Sequence, residues 1–249
     1  MNYQYVNKPN IPSGKVSRVI VDYRISNESE KTLQNLGIEL IKTIPEDNLY
    51  EQVNGHPDMQ IHHLGGNDFI CTPFVYTYYK ENLKGANIFT GTRLFPRYPN
   101  DISYNGVLVN DVFFHKIKYT QSEILDYYSR KDIKLVNINQ GYSKCSVAVI
   151  SDNAIITSDK IIFNKALENK LNALYVDPSQ IILNGMSNGF IGGCCGMIDK
   201  NTLAINGSIK YLGEGIKIKN FCNEHNVKIL ELQNTPLTDI GSIMPITVE

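Results

Sequence analysis

The side chains best suited to covalent and acid–base chemistry fall in three short polar segments of this sequence. His56 and Asp58 stand together in Gly-His-Pro-Asp-Met, and Asp239 stands in Thr-Asp-Ile-Gly. Cys145 follows Lys144 at the end of a loop that starts with glycine. A cysteine thiolate is a nucleophile, a histidine transfers protons near neutral pH, and carboxylates bind cationic groups through charge-assisted hydrogen bonds. These segments offer the parts of a thiol-dependent enzyme, provided that the fold brings them together.

The five cysteines differ in how well their surroundings suit a reactive thiol. Cys145 is the favoured nucleophile, because a neighbouring cation such as Lys144 can lower a thiol pKa. Cys194 and Cys195 come second, since the glycines beside them would let the backbone approach a ligand closely. Reactive thiols need a partly exposed setting, so we expect Cys145 to be accessible to solvent. The alternative for all three is a small buried apolar residue, the usual state of a free cysteine.

A metal site is another interpretation of the histidines near His56. His62 and His63 follow Asp58 closely, but the segment lacks the His-x-x-x-His spacing of helical zinc sites and has no paired cysteines. On a strand, adjacent side chains point to opposite faces, so His62 and His63 cannot both bind one ion. His56 can equally be a loop histidine bonded to the backbone. The sequence therefore predicts no metal and no other cofactor.

Five alternations of strand, helix and strand run through the chain and must position these segments. Apolar, β-branched runs predict buried strands at Val16–Tyr23, Asp68–Thr72, Gly106–Val109, Asn153–Thr157 and Asn201–Ile205. Helices are predicted after them at Asn27–Leu36, Phe74–Leu83, Thr120–Arg130, Ile161–Asn172 and Gly215–Glu224. Second strands follow at Ile38–Ile44, Ala86–Thr90, Ile133–Ile138, Ile181–Leu183 and Val227–Leu232. The loops between units recur every roughly 40–50 residues, as in propeller repeats, and a doubly wound parallel sheet is the alternative.

The overall composition limits the classes of partner. The 249 residues carry a net charge of -1 and 20% charged side chains, without the basic excess of a nucleic-acid or membrane-surface protein. No apolar run is long enough to cross a bilayer, and the odd, scattered cysteines favour reduced thiols over a disulfide framework. We therefore expect one cytoplasmic domain over residues 1–249 that binds a small molecule. No feature of the sequence specifies an oligomeric state.

Two of the motifs resemble those of the pentein superfamily of guanidino-group-modifying enzymes, such as agmatine and arginine deiminases. Gly55–Met59 is similar to the Gly-His-x-Asp-Met signature of that superfamily, and Thr238–Gly241 is similar to its Arg-Asp-x-Gly element. The resemblance is strongest to a mainly clostridial branch without an assigned function. It implies a five-bladed α/β propeller of ββαβ units with pseudo-five-fold symmetry, which agrees with the five repeats.

The resemblance also implies roles for individual residues. Cys145 would attack the guanidinium carbon, His56 would transfer protons, and Asp58 and Asp239 would bind the guanidino or amidino group of the substrate, in a hydrolase or a transferase. Pentein enzymes place their cysteine near the C-terminus, but Gly241–Ile246 contains none. Either the units are circularly permuted, or the chain is a non-catalytic pentein-fold binding protein.

Overall fold

A computed structural model describes residues 4–249 as a mixed α/β fold built from five small sheets. The strands are β1 (Gln4–Tyr5), β2 (Val16–Val21), β3 (Glu39–Lys42), β4 (Ile61–Gly65), β5 (Asp68–Cys71), β6 (Asn87–Thr90), β7 (Val107–Val109), β8 (Val112–His115), β9 (Lys134–Asn137), β10 (Val147–Ser151), β11 (Ala154–Thr157), β12 (Asn172–Tyr175), β13 (Cys195–Asp199), β14 (Thr202–Ile205), β15 (Lys228–Glu231) and β16 (Met244–Val248). The α-helices are α1 (Asn27–Asn35), α2 (Pro57–Gln60), α3 (Tyr76–Asn82), α4 (Ser122–Ser129), α5 (Ser143–Ser146), α6 (Lys160–Glu168) and α7 (Gly215–Glu224). Within the described range, none of the helices is long and apolar enough to cross a membrane.

The three-stranded sheets repeat one pattern of pairing. In the sheet β10-β11-β12, β10 and β11 form an antiparallel hairpin, and α6 then leads to β12, which pairs with β11 in parallel. The sheets β4-β5-β6, β7-β8-β9 and β13-β14-β15 have the same order and the same pairings. Each unit is therefore a strand–strand–helix–strand element, as the sequence predicts.

The remaining sheet joins the two ends of the described chain. Its order is β1-β16-β2-β3, so the C-terminal strand β16 pairs with both β1 and β2 in antiparallel fashion. Strand β16 takes the place that the first strand of the hairpin takes in the other four sheets. The last stretch of the chain thus completes the first unit.

Five apolar clusters lie between successive sheets. One cluster, for example, joins Phe114 of β8 to Val147 of β10, and another joins Ile156 of β11 to Leu203 of β14. A further cluster joins the last sheet back to the first, through Ala204 of β14 and Val19 of β2. Burial of these side chains stabilises each sheet against both of its neighbours, at roughly 25 cal/mol per Å² of apolar surface.

Each helix that links a hairpin to its third strand ends in the same way. A residue with positive φ follows the last turn; these residues are Gly37, Gly85, Asp132, Lys170 and Asn226. After four of them, the next amide donates to a carbonyl five residues back, as in Leu171 N to Ala166 O. A residue in the left-handed conformation thus ends the helix and turns the chain back into the third strand of the unit.

Two of the predicted strands are placed wrongly. The fourth unit takes Asn172–Tyr175 as its third strand, whereas Ile181–Leu183 forms only a single bridge, from Ile182 to Thr238. Lys170 with positive φ ends α6 early, so the chain continues from Asn172 as a strand and not as a helix. In the third unit, Val107–Val109 is the first strand of the hairpin, and the strand that precedes the helix is Val112–His115.

Candidate functional site

The segments that lead into the first strand of each unit meet in the interior. They are α2 before β4, residues 101–106 before β7, α5 before β10, residues 191–194 before β13, and residues 239–243 before β16. The predicted site residues His56, Asp58, Cys145 and Asp239 lie on three of these segments, and each is at most 3% exposed. The fold therefore brings together residues that are up to 183 positions apart in sequence.

Asp58 is the centre of the cluster. The Cys145 thiol donates to both carboxylate oxygens of Asp58, with Sγ–O distances of 3.2 and 3.1 Å. The Ser242 hydroxyl donates to Oδ2 of Asp58 at 2.9 Å. Burial raises the pKa of Asp58 to about 6, although the nearby Lys144 ammonium and the hydrogen bonds from Cys145 and Ser242 lower it.

Asn105 holds the thiol in place and was not predicted from the sequence. Its side-chain oxygen accepts from the backbone N–H groups of Lys144 at 2.9 Å and Cys145 at 3.3 Å. Its side-chain NH2 donates to the Asp58 carbonyl at 3.1 Å and to Cys145 Sγ at 3.3 Å. Asn105 and Ser242 each come two residues before a first strand, the same offset as Cys145 before β10. That shared offset is the only sequence signal that could have found them.

His56 lies against Asp239. The Nδ1 of His56 is 3.8 Å from Oδ1 of Asp239 and has no hydrogen-bond partner among the described residues. The carboxylate of Asp239 accepts from the backbone N–H groups of Phe190 and Gly241, both at 2.9 Å. Burial lowers the pKa of His56, which the Asp239 charge opposes, and burial raises the pKa of Asp239. Burial therefore disfavours the charged form of both groups, and the 3.8 Å between them is longer than a hydrogen bond.

The expectation that Cys145 is accessible is wrong in this structure. Its side chain is buried, and burial together with the Asp58 charge raises the thiol pKa well above its usual value. The expected effect of Lys144 on the thiol is also wrong, because its ammonium bonds to Ser242 at 2.8 Å and acts on Asp58 instead. The segments pack too tightly around the thiol to leave an opening. The resting cysteine is consequently a neutral thiol.

The other predicted candidates have structural surroundings. Cys194 and Cys195 are buried and donate to the carbonyls of Phe190 and Ile191, both at 3.2 Å. His62 bonds to the Tyr104 carbonyl and the Tyr128 hydroxyl, at 3.1 and 2.8 Å. His63 bonds to the Gly66 carbonyl at 2.9 Å and stacks on Phe69. None of these four side chains bonds to Asp58 or His56.

The donor atoms of His56, Asp58 and Cys145 lie within 4.8 Å of one another, which is close enough to consider a metal ion. Nitrogen, oxygen and sulfur together would suit a cation such as Zn²⁺. The Sγ–O separations of 3.1 and 3.2 Å match a thiol hydrogen bond to Asp58, and the absence of a metal at this site stays a prediction. We assign none of the three residues as a metal ligand.

The loop that leads to His56 is held by an ion pair between the buried Asp22 and the exposed Arg24. Asp22 is fully buried and accepts two hydrogen bonds from the Arg24 guanidinium, at 2.9 and 2.6 Å. Arg24 also donates to the carbonyls of Glu51 and Gln52, at 2.6 and 3.2 Å. The pair thereby ties the segment before α2 to the end of β2.

Gly193 is required for the position of Asp239. A Cβ atom at this residue would overlap the Asp239 carboxylate. We expect Gly193→Ala to lower the free energy of unfolding by about 2–3 kcal/mol, because Asp239 must shift and lose its backbone hydrogen bonds. Urea denaturation measures the change. Gly14→Ala is the matched control, since its added carbon meets nothing within 4 Å. Equal stability of the two variants would contradict the prediction.

The comparisons with known proteins agree with this architecture. A model for a family of unknown function, DUF6873, matches residues 20–244. The sequence has no significant match among curated proteins. The fold is similar to that of SxtG, an amidinotransferase from Microseira wollei in the saxitoxin biosynthetic pathway, with 12% identity, 91% of each chain covered and a TM-score of 0.56.

Two further solved structures show the same likeness. Dimethylarginine dimethylaminohydrolase (DDAH) from Pseudomonas aeruginosa has 7% identity and a TM-score of 0.54, over 87% of this chain and 92% of the other. Inosamine-phosphate amidinotransferase from Streptomyces griseus has 10% identity and a TM-score of 0.54, over 93% and 92%. At these identities the likeness is one of fold, and it confirms the predicted resemblance to the penteins. The mainly clostridial branch stays a prediction.

Proposed function

Because the chain belongs to the family of unknown function DUF6873 and has a pentein fold, we propose its activity from the geometry of its site. It is a thiol-dependent enzyme that acts on a guanidino or amidino compound, with Cys145 as the nucleophile. The observation that carries the proposal is the direct contact of the Cys145 thiol with the buried Asp58 carboxylate, beside the His56–Asp239 pair. A carboxylate, a thiol and a histidine are thus combined at one buried point.

Each residue has a role in the proposed reaction. Asp58 binds the planar cationic group through charge-assisted hydrogen bonds and presents its carbon to Cys145. The Cys145 thiol gives its proton to His56 as the sulfur bonds to the carbon, and His56 then gives that proton to the leaving amine as the carbon–nitrogen bond breaks. Water then attacks the intermediate in a hydrolase, or a second amine attacks it in a transferase. Asp239 stabilises the protonated form of His56 in the first step. It also contributes to binding of the substrate.

The substrate itself is expected to ionise the thiol. Asp58 raises the pKa of Cys145 in the resting site, and a guanidinium that pairs with Asp58 removes this effect. We therefore expect a guanidino ligand to lower the thiol pKa and to increase thiolate absorbance in the ultraviolet at neutral pH. Titration with agmatine and with methylated arginine, compounds named for the similar enzymes, measures it. Cys145→Ser is the control that should show no change. An equal signal in that variant, or none in the native chain, would contradict the proposal.

The arrangement of the five sheets supports a five-bladed propeller. Each apolar cluster joins two consecutive sheets, and the cluster with Ala204 and Val19 joins the last sheet to the first. We infer a ring of five ββαβ blades that forms one domain, with the first blade closed by β16. The thiol lies two blades after the histidine, which is the separation that the resemblance to the deiminases implies, and this favours circular permutation over loss of the catalytic residues.

A second candidate is a non-catalytic pentein-fold binding protein. The observation that favours it is the burial of Cys145 and the high pKa of its thiol. This candidate predicts saturable binding of a guanidino compound without release of ammonia and without amidino transfer to an added amine. Product analysis by mass spectrometry separates the two.

The cellular setting is part of the proposal. All five cysteines are free, as expected for a protein that works in the reducing cytoplasm. Its partner is a small molecule, and the near-neutral net charge of -1 gives no attraction to nucleic acid.

A further inference from the structure

Lys144 stands in an unusual place for a lysine. Its side chain is only 8% exposed, and it lines two small cavities of about 20 and 10 Å³ on the side of the cluster towards β4 and β10. The turn that contains Pro9 and Asn10 closes the larger cavity, and Asn10 also lines the smaller one. Lysines are almost never buried in this way unless they are paired.

The partner of Lys144 is Asp58, reached through one hydroxyl group. The Lys144 ammonium donates to Ser242 Oγ at 2.8 Å, and Ser242 Oγ donates to Asp58 Oδ2 at 2.9 Å. The hydroxyl also lies 3.0 Å from the Gly192 carbonyl, which fixes its position. The three groups form a chain from a buried cation to a buried carboxylate, and the Cys145 thiol contacts both oxygens of that carboxylate.

The other charged and titratable groups around Asp58 do not supply this cation. Cys145 on α5 is a neutral thiol, and Asp239 on the segment before β16 is a second acid. His56, two residues before Asp58, has a lowered pKa because of its burial. Lys144 is thus the group whose positive charge opposes the desolvation of Asp58.

We propose that Lys144 is a positioning residue that acts through Ser242 to keep the Asp58 carboxylate ionised and turned towards Cys145. It thereby sets the lowest pH at which the site accepts a cationic group. The inference rests on the proposed function for its catalytic meaning, but the ionisation of Asp58 is measurable without any substrate.

The test is a carbon-13 NMR titration of the full chain labelled at the aspartate carboxyl carbons, with Asp58→Asn to assign the signal. In the native chain Asp58 is expected to titrate near pH 6. In Lys144→Met the titration moves to higher pH by about one unit or more, because the opposing charge is gone. Lys144→Arg, which keeps the charge, restores most of the native value. Lys165→Met, which removes an exposed lysine, is the matched control and leaves Asp58 unchanged.

A structural role alone would not give this pattern. If Lys144→Met does not fold, Ser242→Ala interrupts the same series of hydrogen bonds and should raise the pKa of Asp58 as well. The proposal is overturned if Asp58 titrates at the native pH in whichever of these two variants folds. Failure of the proposed function would give a different result. The pKa of Asp58 would shift as expected in the variants, but agmatine would neither change the thiolate absorbance nor be converted by the native chain.

Discussion

Cys145→Ser is expected to lower turnover of a guanidino substrate by about a thousandfold or more, because a hydroxyl is a far weaker nucleophile than a thiolate. The serine hydroxyl can still donate to Asp58, so the fold and the binding of a cationic ligand should persist. The measurement is steady-state release of ammonia or amidino transfer, together with mass spectrometry of the trapped enzyme. The native chain should carry a covalent adduct on the peptide that contains Cys145, and the variant should carry none.

Cys194→Ala is the matched control for this prediction. Cys194 is also buried and lies on the segment before β13, but its thiol donates to the Phe190 carbonyl and not to Asp58. Its removal should leave turnover within a few-fold of the native chain. If Cys145→Ser stays active while Cys194→Ala is inactive, the nucleophile has been assigned to the wrong thiol. Activity in both variants would rule out covalent catalysis by either one.

Acid is expected to unfold the protein at a pH where most of its carboxylates are still ionised. Burial lowers the pKa of His62 to about 3 and that of His63 and His115 to about 4. The unfolded chain binds these protons near pH 6.5, while the folded chain does not. The free energy of unfolding therefore falls as the pH drops from 6.5 towards 4, by roughly 3 kcal/mol for each histidine at 1.36 kcal/mol per unit.

The carboxyl groups of Asp58, Asp239 and Asp101, whose pKa values burial raises, act in the opposite direction. The pKa of Asp58 is raised in the folded state to about 6, so protonation of Asp58 stabilises the fold as the pH falls, by roughly 3 kcal/mol at most. The net expected loss still amounts to several kcal/mol, comparable with the total stability of a domain. We expect the fold to be lost between pH 5 and pH 4, below the range in which Asp58 titrates.

Urea denaturation at a series of pH values measures this loss. His115→Gln is the informative variant, because His115 makes defined hydrogen bonds to Thr120 Oγ1 at 2.6 Å and to the Gly141 carbonyl at 2.9 Å. The variant should have a lower free energy of unfolding at neutral pH, and that free energy should change less steeply with pH. A free energy of unfolding that stays constant from pH 7 to pH 4.5 would contradict the argument.

The sequence predicts best those elements whose signals are local. The helix α7 is found at the predicted bounds, because its apolar side chains Ile218 and Cys222 follow helical spacing and Asn226 provides a left-handed stop. The fourth unit was misplaced because Leu171 and Leu174 also fit a helical spacing. Nothing local marks Lys170 as a stop, since lysine rarely adopts a positive φ.

The residues of the candidate site divide in the same way. His56 and Asp58 share one short segment, so the sequence by itself placed a histidine and a carboxylate together and specified the chemistry that they can perform. Which thiol reaches them, and the contributions of Asn105 and Ser242, depend on three segments from other units of the chain, which meet α2 only in the folded protein. The charges were likewise decided by tertiary structure. The lysine beside Cys145 in sequence acts on Asp58 in space, and burial makes the thiol neutral, because desolvation and the nearest charge set a pKa and neighbours in sequence do not.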